Sequence, residues 1–492
     1  MKRLLPCAAG AFVALVSWSG TASAQLTQGA DLTTNDYNID LYQGPVLAST
    51  RVIGLAGAFV AIAEGTDGFS LNPAAPAVRA PYSVDHFDYE LGFGIGVPTV
   101  LKNSDFYNTG ADRTNLIATR EQDIFFLNVA AAAQFGSWGF GVSSDLQQHR
   151  LSRSADPGLA TEDRLRGQIA INHLLIARAF ADGQLVIGAG FRLVVLSVID
   201  PEAEQEQERF STEGAGLETG VVWRPNGEPF RIGAAARSAV RTKTETPGAV
   251  LFAGTPDQLY LPNEVTVPWD LNLGLALQIG PRPLNPRWID PSDLLARVRR
   301  EAEERTRARE ELRKRSIAAA RRGGRDLEAA EAALDAELET QAALDEIELE
   351  QARLRVDKQL RERYAKLSRS YLLVTTALLM TGPAENAVGV ESFLQRKVNR
   401  SGERMVFSPR LGLETEAVPG WVKLRAGTYG EPTRFGTPTA NGRLHGTLGI
   451  ELKLFPWTVF GLFHESTVWK ISAALDGAER YLNTTVGIGV WH

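Results

Sequence analysis

The sequence predicts an all-β transmembrane barrel of about 14 antiparallel strands, with an N-terminal hatch and a long α-helical hairpin insert. Three observations carry this. Alternating apolar segments recur after residue 80, their joints alternate between long and short, and a charged, alanine-rich stretch interrupts them once. The short joints are Gly136-Ser137, Ala181-Asp182-Gly183, Asn226-Gly227-Glu228, Val418-Pro419-Gly420 and Pro456-Trp457. Tight turns on one side and longer loops on the other are the pattern of an outer-membrane barrel.

The N-terminus reads as a secretory signal over residues 1–24. Lys2 and Arg3 precede an apolar run from Leu4 to Trp18, and Ala22-Ser23-Ala24 is a cleavage site that starts the mature chain at Gln25. Cys7 is the one cysteine of the 492 residues, so the mature chain has no disulfide or thiolate metal site. A lipoprotein reading of Leu4-Leu5-Pro6-Cys7 is opposed by Pro6 and by the apolar run that follows. The formal net charge of -6 becomes -6 - 2 = -8 without Lys2 and Arg3, which argues against nucleic acid as a partner. No later segment has 18 uninterrupted apolar residues, so the expected membrane element is a closed barrel, in which every backbone group is paired.

Candidate strands run over 83–97, 124–135, 138–149, 166–180, 184–197, 214–225, 229–240, 265–279, 370–381, 405–417, 421–430, 443–455, 458–474 and 482–491. Strands 1–8 occupy a segment 82–280, and strands 9–14 a segment 370–492. Successive strand residues point to opposite faces. Leu444, Leu448, Ile450, Leu452 and Leu454 therefore share a lipid face, opposite Arg443, His445, Thr447, Glu451 and Lys453. Leu185, Ile187, Phe191, Leu193 and Val195 likewise oppose Arg192. Trp138, Trp223, Trp421, Trp457, Trp469 and Trp491 fall where interfacial girdles need them. The alternative, a soluble β-protein with one wet face, would need a second sheet to cover the apolar faces. The last strand ends in Trp491-His492, whereas barrel assembly signals usually end on the aromatic residue itself.

Residues 25–81 do not alternate and form the expected hatch. They contain Ala56-Gly57-Ala58-Phe59-Val60-Ala61-Ile62-Ala63, the acidic turn Glu64-Gly65-Thr66-Asp67, and Asn72-Pro73-Ala74. This order resembles the N-terminal signature of the FadL-like outer-membrane long-chain fatty acid and hydrocarbon transporters. The close match spans some thirty residues, and it departs at Ala75, where that family usually has Gly, and at Pro76. The resemblance implies a plug inside the barrel and passive inward passage of hydrophobic small molecules such as long-chain fatty acids. It makes Gly57, Phe59, Asn72 and Pro73 the candidate hatch and ligand residues. The small residues of 54–63 are expected to let a short helix pack on the wall. Asn72-Pro73 is a turn or helix-start signal. Wall glycines such as Gly188, Gly190, Gly446 and Gly449 could permit kinks or relieve packing against the hatch.

The insert lies in the segment 281–369. Asp290-Pro291 starts a helix, and Gly323-Gly324 divides the stretch into two arms. Its leucine spacing is irregular, so the coiled-coil pattern is loose. It follows an even-numbered strand, so loop parity places the hairpin in the periplasm. It is either a solvated hairpin closed on itself or a docking arm for a periplasmic protein. The latter goes with a rival reading, a plugged scaffold serving a secretion machine.

No catalytic residues, metal site or cofactor is expected. The six His, at 86, 149, 173, 445, 464 and 492, form no i, i+4 pair, and no nucleophile-elbow or phosphate-loop motif occurs. An enzyme is not expected. The partners expected are a hydrophobic small molecule and the lipid of a Gram-negative outer membrane, in which the chain is integral.

Overall fold

The computed structural model describes residues 26–98, 104–110, 120–154, 162–200, 207–244, 248–251, 253–254, 258–322, 327–436, 441–459, 461 and 467–491. The expected signal segment 1–24, Gln25, Gly323-Gly324, His464 and His492 lie outside them.

Fourteen strands close into an antiparallel barrel in which each pairs with its sequence neighbour. We number them β1 (Phe87–Val97), β2 (Arg120–Phe135), β3 (Trp138–Ser154), β4 (Glu162–Phe180), β5 (Leu185–Asp200), β6 (Gln207–Trp223), β7 (Phe230–Arg237), β8 (Asp270–Ile279), β9 (Leu372–Thr381), β10 (Val406–Val418), β11 (Val422–Glu431), β12 (Arg443–Lys453), β13 (Val468–Ala478) and β14 (Tyr481–Trp491). The barrel closes where β1 meets β14, from Glu90 opposite Trp491 to Val97 opposite Thr484. Closure leaves no unpaired edge in the lipid.

The faces follow the alternation. Leu444, Leu448, Ile450 and Leu452 point outward, 72%, 60%, 40% and 42% exposed, while Arg443, His445, Thr447 and Glu451 are buried in the lumen. Ile187, Phe191 and Leu193 point out, and Arg192 points in. A soluble sandwich would cover these apolar faces; here they form a continuous outer band. The tryptophans are less evenly spread than two girdles require. Trp138, Trp223, Trp421, Trp457, Trp469 and Trp491 all lie at the end where β2 turns into β3 and β6 into β7. Trp469 donates to the Trp457 carbonyl at 2.8 Å, and Trp223 packs edge-on against Phe230.

Two strand expectations are corrected. Pro456-Trp457 is not a turn: β12 ends at Lys453 and β13 starts at Val468, which fits Pro456 lacking the N–H that a paired strand must donate. The tight turn of this region is Glu479-Arg480, between β13 and β14, at the opposite end, with Arg480 at φ +55. Strict loop parity therefore fails at the two joints that flank β13. The expected strand 265–279 is also broken. Pro268 and Trp269 separate β8 from a short strand Glu264–Val267, which leaves the wall.

That short strand joins a five-stranded sheet at the long-loop end. Its order is Arg400–Ser401, Ala387–Gly389, Asn38–Asp40, Glu264–Val267 and Val240–Lys243. The hatch strand Asn38–Asp40 pairs in parallel with both of its neighbours. Strands β2 to β6 have 16 to 19 residues, more than the roughly ten needed to cross a bilayer. Their extra length rises past the band at this end. There Ile169, Val198 and Phe210 pack with Tyr37, Ile39 and Phe393 in a buried apolar cluster.

The hatch therefore runs down the lumen. It enters at the long-loop end at Leu32 to Ile39 and reaches the short-turn end at Arg79, whose Nε donates to the Gly136 carbonyl at 3.1 Å. The expected helix over its small residues is confined to α1 (Thr50–Gly54), capped by Ser49. Ala56 and Gly57 have φ of +54 and +72 and end it, so Leu55 to Ala63 continue as turns.

The insert forms two helices, α2 (Pro291–Arg322) and α3 (Leu327–Ala365), after β8 at the short-turn end. Arg305, Arg309 and Arg313 of α2 pair with Asp345 and Glu348, Asp345, and Asp335 of α3, so the arms are antiparallel. At 1.5 Å per residue the 39 residues of α3 span about 58 Å. The stem is tied to the barrel by Val84 packed against Leu360 and Tyr364, and by His86 at 3.0 Å from Asp290.

Candidate functional site

The lumen is shaped by glycines that admit backbone. A Cβ on Gly188 would lie 2.0 Å from the Pro73 carbonyl oxygen, one on Gly139 2.1 Å from that of Pro76, and one on Gly233 2.2 Å from that of Val60. No side chain fits at these three places, so the hatch main chain rests directly on the wall. A Cβ on Gly449 would meet the Cα of Gly54 at 3.1 Å, a close but less severe contact. Gly190 instead crowds Leu174 and Leu175 of β4, and Gly446 faces open space.

Each candidate hatch residue is a wedge in this contact. Asn72 is fully buried. Its Nδ2 donates to the Val60 carbonyl at 2.8 Å and to the Val221 carbonyl at 3.3 Å, and its Oδ1 accepts from the Ala74 N–H at 3.0 Å. That closes a side-chain turn and ties hatch to β6. Pro73 presses against Gly188 and Gly220. Gly57 leaves room for the Arg410 guanidinium, and Phe59 is buried beneath Arg51, 5.0 Å from the ring centre. None of the four lines any of the three cavities described below.

A buried ion chain crosses from wall to hatch to wall. Arg231 of β7 donates to Glu64 at 2.7 Å and to the Ile62 carbonyl at 3.0 Å. Glu64 also takes Arg51 at 3.1 Å, and Arg51 donates to Glu414 of β10 at 3.0 Å. Arg425 of β11 joins Glu414 at 2.7 Å to Glu451 of β12 at 2.6 Å. Lys470 binds Asp67 at 3.3 Å and Glu90 at 3.1 Å. Burial pushes the Glu64 carboxyl up, but Arg231 and Arg51 outweigh it and hold the group at about 2. The alternation gave the lumenal side for Glu451, and the acidic turn flagged Glu64 and Asp67. Their partner across the lumen, Arg231, carries no local sign.

Three cavities among the described residues bear on the site. One of about 170 Å³ lies above the hatch toward the long-loop end. Val46, Leu71, Phe126 and Leu379 line one part, and His173, Arg192, Arg237 and Arg410 line another. Most of the charged side is internally paired: His173 is 2.9 Å from Glu218, Arg237 binds Glu218 and Asp270, and Arg192 binds Asp270, while Arg410 donates to Ser408 and the Gly57 carbonyl. A mostly apolar pocket is what passage of hydrophobic molecules suggested; the lining is mixed. A second cavity, about 40 Å³, lies among Glu64, Asp67, Glu90, Lys423 and Lys470 and is polar. The third, about 320 Å³, lies at the short-turn end beneath the insert stem. No group of three or more metal-ligating side chains occurs among the described residues.

No protein-family model matches the chain. No curated protein matches it. Among solved structures it is similar to the CymD monoaromatic hydrocarbon channel, with 9% identity over 92% of this chain and 98% of that one, at a TM-score of 0.46. It is similar to a Pseudomonas aeruginosa FadL homologue, with 11% identity over 92% and 99%, at 0.47. It is also similar to the Pseudomonas putida toluene transporter TodX, with 10% identity over 93% and 98%, at 0.44.

Proposed function

We propose that the protein is a passive outer-membrane channel for the uptake of hydrophobic small molecules such as long-chain fatty acids, and not an enzyme. The observation that carries this is the mixed cavity above a seated hatch. Val46, Leu71, Phe126 and Leu379 offer an apolar wall to a chain or ring, while Arg192, Arg237 and Arg410 supply donors at its other side. Such a lining suits a ligand with an apolar body and few polar atoms.

In this reading ligand enters from the long-loop end, between the extended strands and the five-stranded sheet, and rests above the hatch. Passage needs the hatch to shift, because backbone contacts at Gly139, Gly188 and Gly233 leave it no slack. The ion chain through Arg231, Glu64, Arg51 and Glu414 sets the resistance to that shift. With β1 starting at the short-turn end, that end and the insert face the periplasm. The domain reading is then a hatch before β1, a barrel in two parts, and a periplasmic hairpin between them.

The test is uptake of radiolabelled oleate by intact Gram-negative cells with and without the protein. Uptake is expected to rise several-fold, and Ser70→Trp, which fills the cavity floor, is expected to abolish the rise. Equal uptake with and without the protein would overturn the reading.

A further inference from the structure

The cavity beneath the insert stem holds a cation with no carboxylate of its own among the described residues. Arg224 follows β6 at the short-turn end and is 5% exposed. Its Nη1 donates to the Arg79 carbonyl at 2.9 Å, and its Nε is buried with no partner. Across the same lining stands Trp288, whose indole N–H is also buried and unpartnered. The Trp288 ring is held in place by the Arg79 guanidinium, 4.0 Å from its centre. Arg79 itself is fully engaged, by Asp88, Ser83 and the carbonyls of Asp85, His86 and Gly136.

Two of the three acidic residues of the lining are committed elsewhere, and the third, Asp293, is exposed. Asp182 pairs with Arg287 at 2.9 Å, and Asp290 receives Ser292 and His86. Asp293 lies in the first turn of α2. The carboxylate that acts on Arg224 is Glu64, which Arg231 and Arg51 already hold. Burial, then repulsion from Arg231, pushes the Arg224 guanidinium down to about 9, the mark of a cation short of negative charge. Ala77, Ala179, Pro286 and Ile289 supply the apolar part of a mixed lining.

We propose that this cavity is a binding site for an organic monocarboxylate, its carboxylate taken by Arg224 and the Trp288 indole N–H and its apolar body lying on Ala77, Ala179, Pro286 and Ile289. Two donors fixed beside an apolar strip complement one anionic oxygen pair attached to an apolar tail. Trp288 comes from the segment leading into α2, so the insert completes the site. Only the site's place at the inner end of a transport route rests on the channel reading; the binding chemistry does not.

The test uses the full chain in detergent with sodium octanoate as probe and octanol as its neutral comparator. With ¹⁵N-tryptophan labelling, the Trp288 indole N–H resonance, assigned by its loss in Trp288→Phe, is expected to shift on adding octanoate and stay put with octanol. Titration calorimetry is expected to show Arg224→Gln at least tenfold weaker for octanoate, with Arg224→Lys partly restored, since removing a buried charge partner costs this much or more. If Arg224→Gln does not fold, the resonance shift in the unsubstituted protein decides alone. An unmoved Trp288 resonance, or equal effects of octanoate and octanol, would overturn the proposal. Octanoate binding without oleate uptake would leave the site standing and sink the channel reading. Uptake without octanoate binding would do the reverse.

Discussion

The carbonyl oxygen of Pro73 lies where a Cβ on Gly188 would come within 2.0 Å of it. One atom of side chain on the barrel wall is thus incompatible with the seated hatch. Both partners are backbone and cannot swing aside, so a clash has to move a segment. Gly188→Ala is expected to unseat the hatch around Asn72, at a cost of about 1–3 kcal/mol, the usual range for overpacking a filled interior. The barrel ladder, which does not depend on this contact, should still form. Heat-resistant migration together with a raised ionic leak would show both effects. An alanine variant as tight and as stable as the parent would mean the hatch does not rest there.

The outward band can be tested on the same strand. Ile187 is 45% exposed toward lipid, one residue before Gly188. Ile187→Arg should cost about 2–4 kcal/mol if it lies near the bilayer midplane. Ile450→Arg should behave alike. Denaturant unfolding in lipid vesicles reads this directly. Two unaffected variants would mean that the apolar face is not in lipid.

The ion chain gives a pH signature. Glu64 is held at about 2 in the folded chain, below the roughly 4.3 of a free glutamate. A depressed carboxylate stabilises the fold above its unfolded value and loses that contribution as pH falls through the folded one. Hatch seating is therefore expected to hold from pH 7 to about 4 and to weaken between about 4 and 2. Glu64→Gln should lessen this dependence, since Glu414 and Asp67 remain, and leave Arg231 buried without its anion, a cost of about 3–5 kcal/mol. Ionic leak through single barrels, followed from pH 7 downward, checks both statements.

The insert contributes little to the ladder. Of α2 only Leu295 is buried, and α3 contributes Ala352, Leu360 and Tyr364. Replacing 290–367 by a short turn should leave a folded barrel with a slightly lower melting temperature, since Val84 loses Leu360 and Tyr364. A protease site placed between Arg322 and Leu327 should be protected in intact cells and cut once the outer membrane is permeabilised. Cleavage in intact cells would put the hairpin outside.

Period-two alternation made the wall legible, because lipid and lumen impose opposite chemistry on adjacent residues. It placed Ile187, Ile450, Arg192 and Glu451 on their true faces. It failed where strands leave the wall. The run through Glu264–Val267, before Pro268, has apolar character because it belongs to another sheet beside Asn38–Asp40, and a one-dimensional pattern carries no mark of the change of partner. Pro456-Trp457 resembled a turn because it interrupts the alternation, although the chain there crosses a longer joint. The hatch was visible as a segment, but its path was not. The pairing of Glu64 with Arg231 and of Arg51 with Glu414 joins residues far apart in sequence. The glycines that admit Pro73, Pro76 and Val60 explain themselves only when both surfaces are present.

Whether residues 26–80 plug the barrel is read directly from ionic conductance in a planar bilayer. The intact protein should show almost no steady current. A variant lacking residues 26–80, shown to be folded by its heat-modifiable migration, should open a large, persistent conductance, as expected of a fourteen-stranded wall with nothing inside. Equal conductance in the two folded proteins would contradict the plug, and with it the proposed passage of ligand past a shifting hatch.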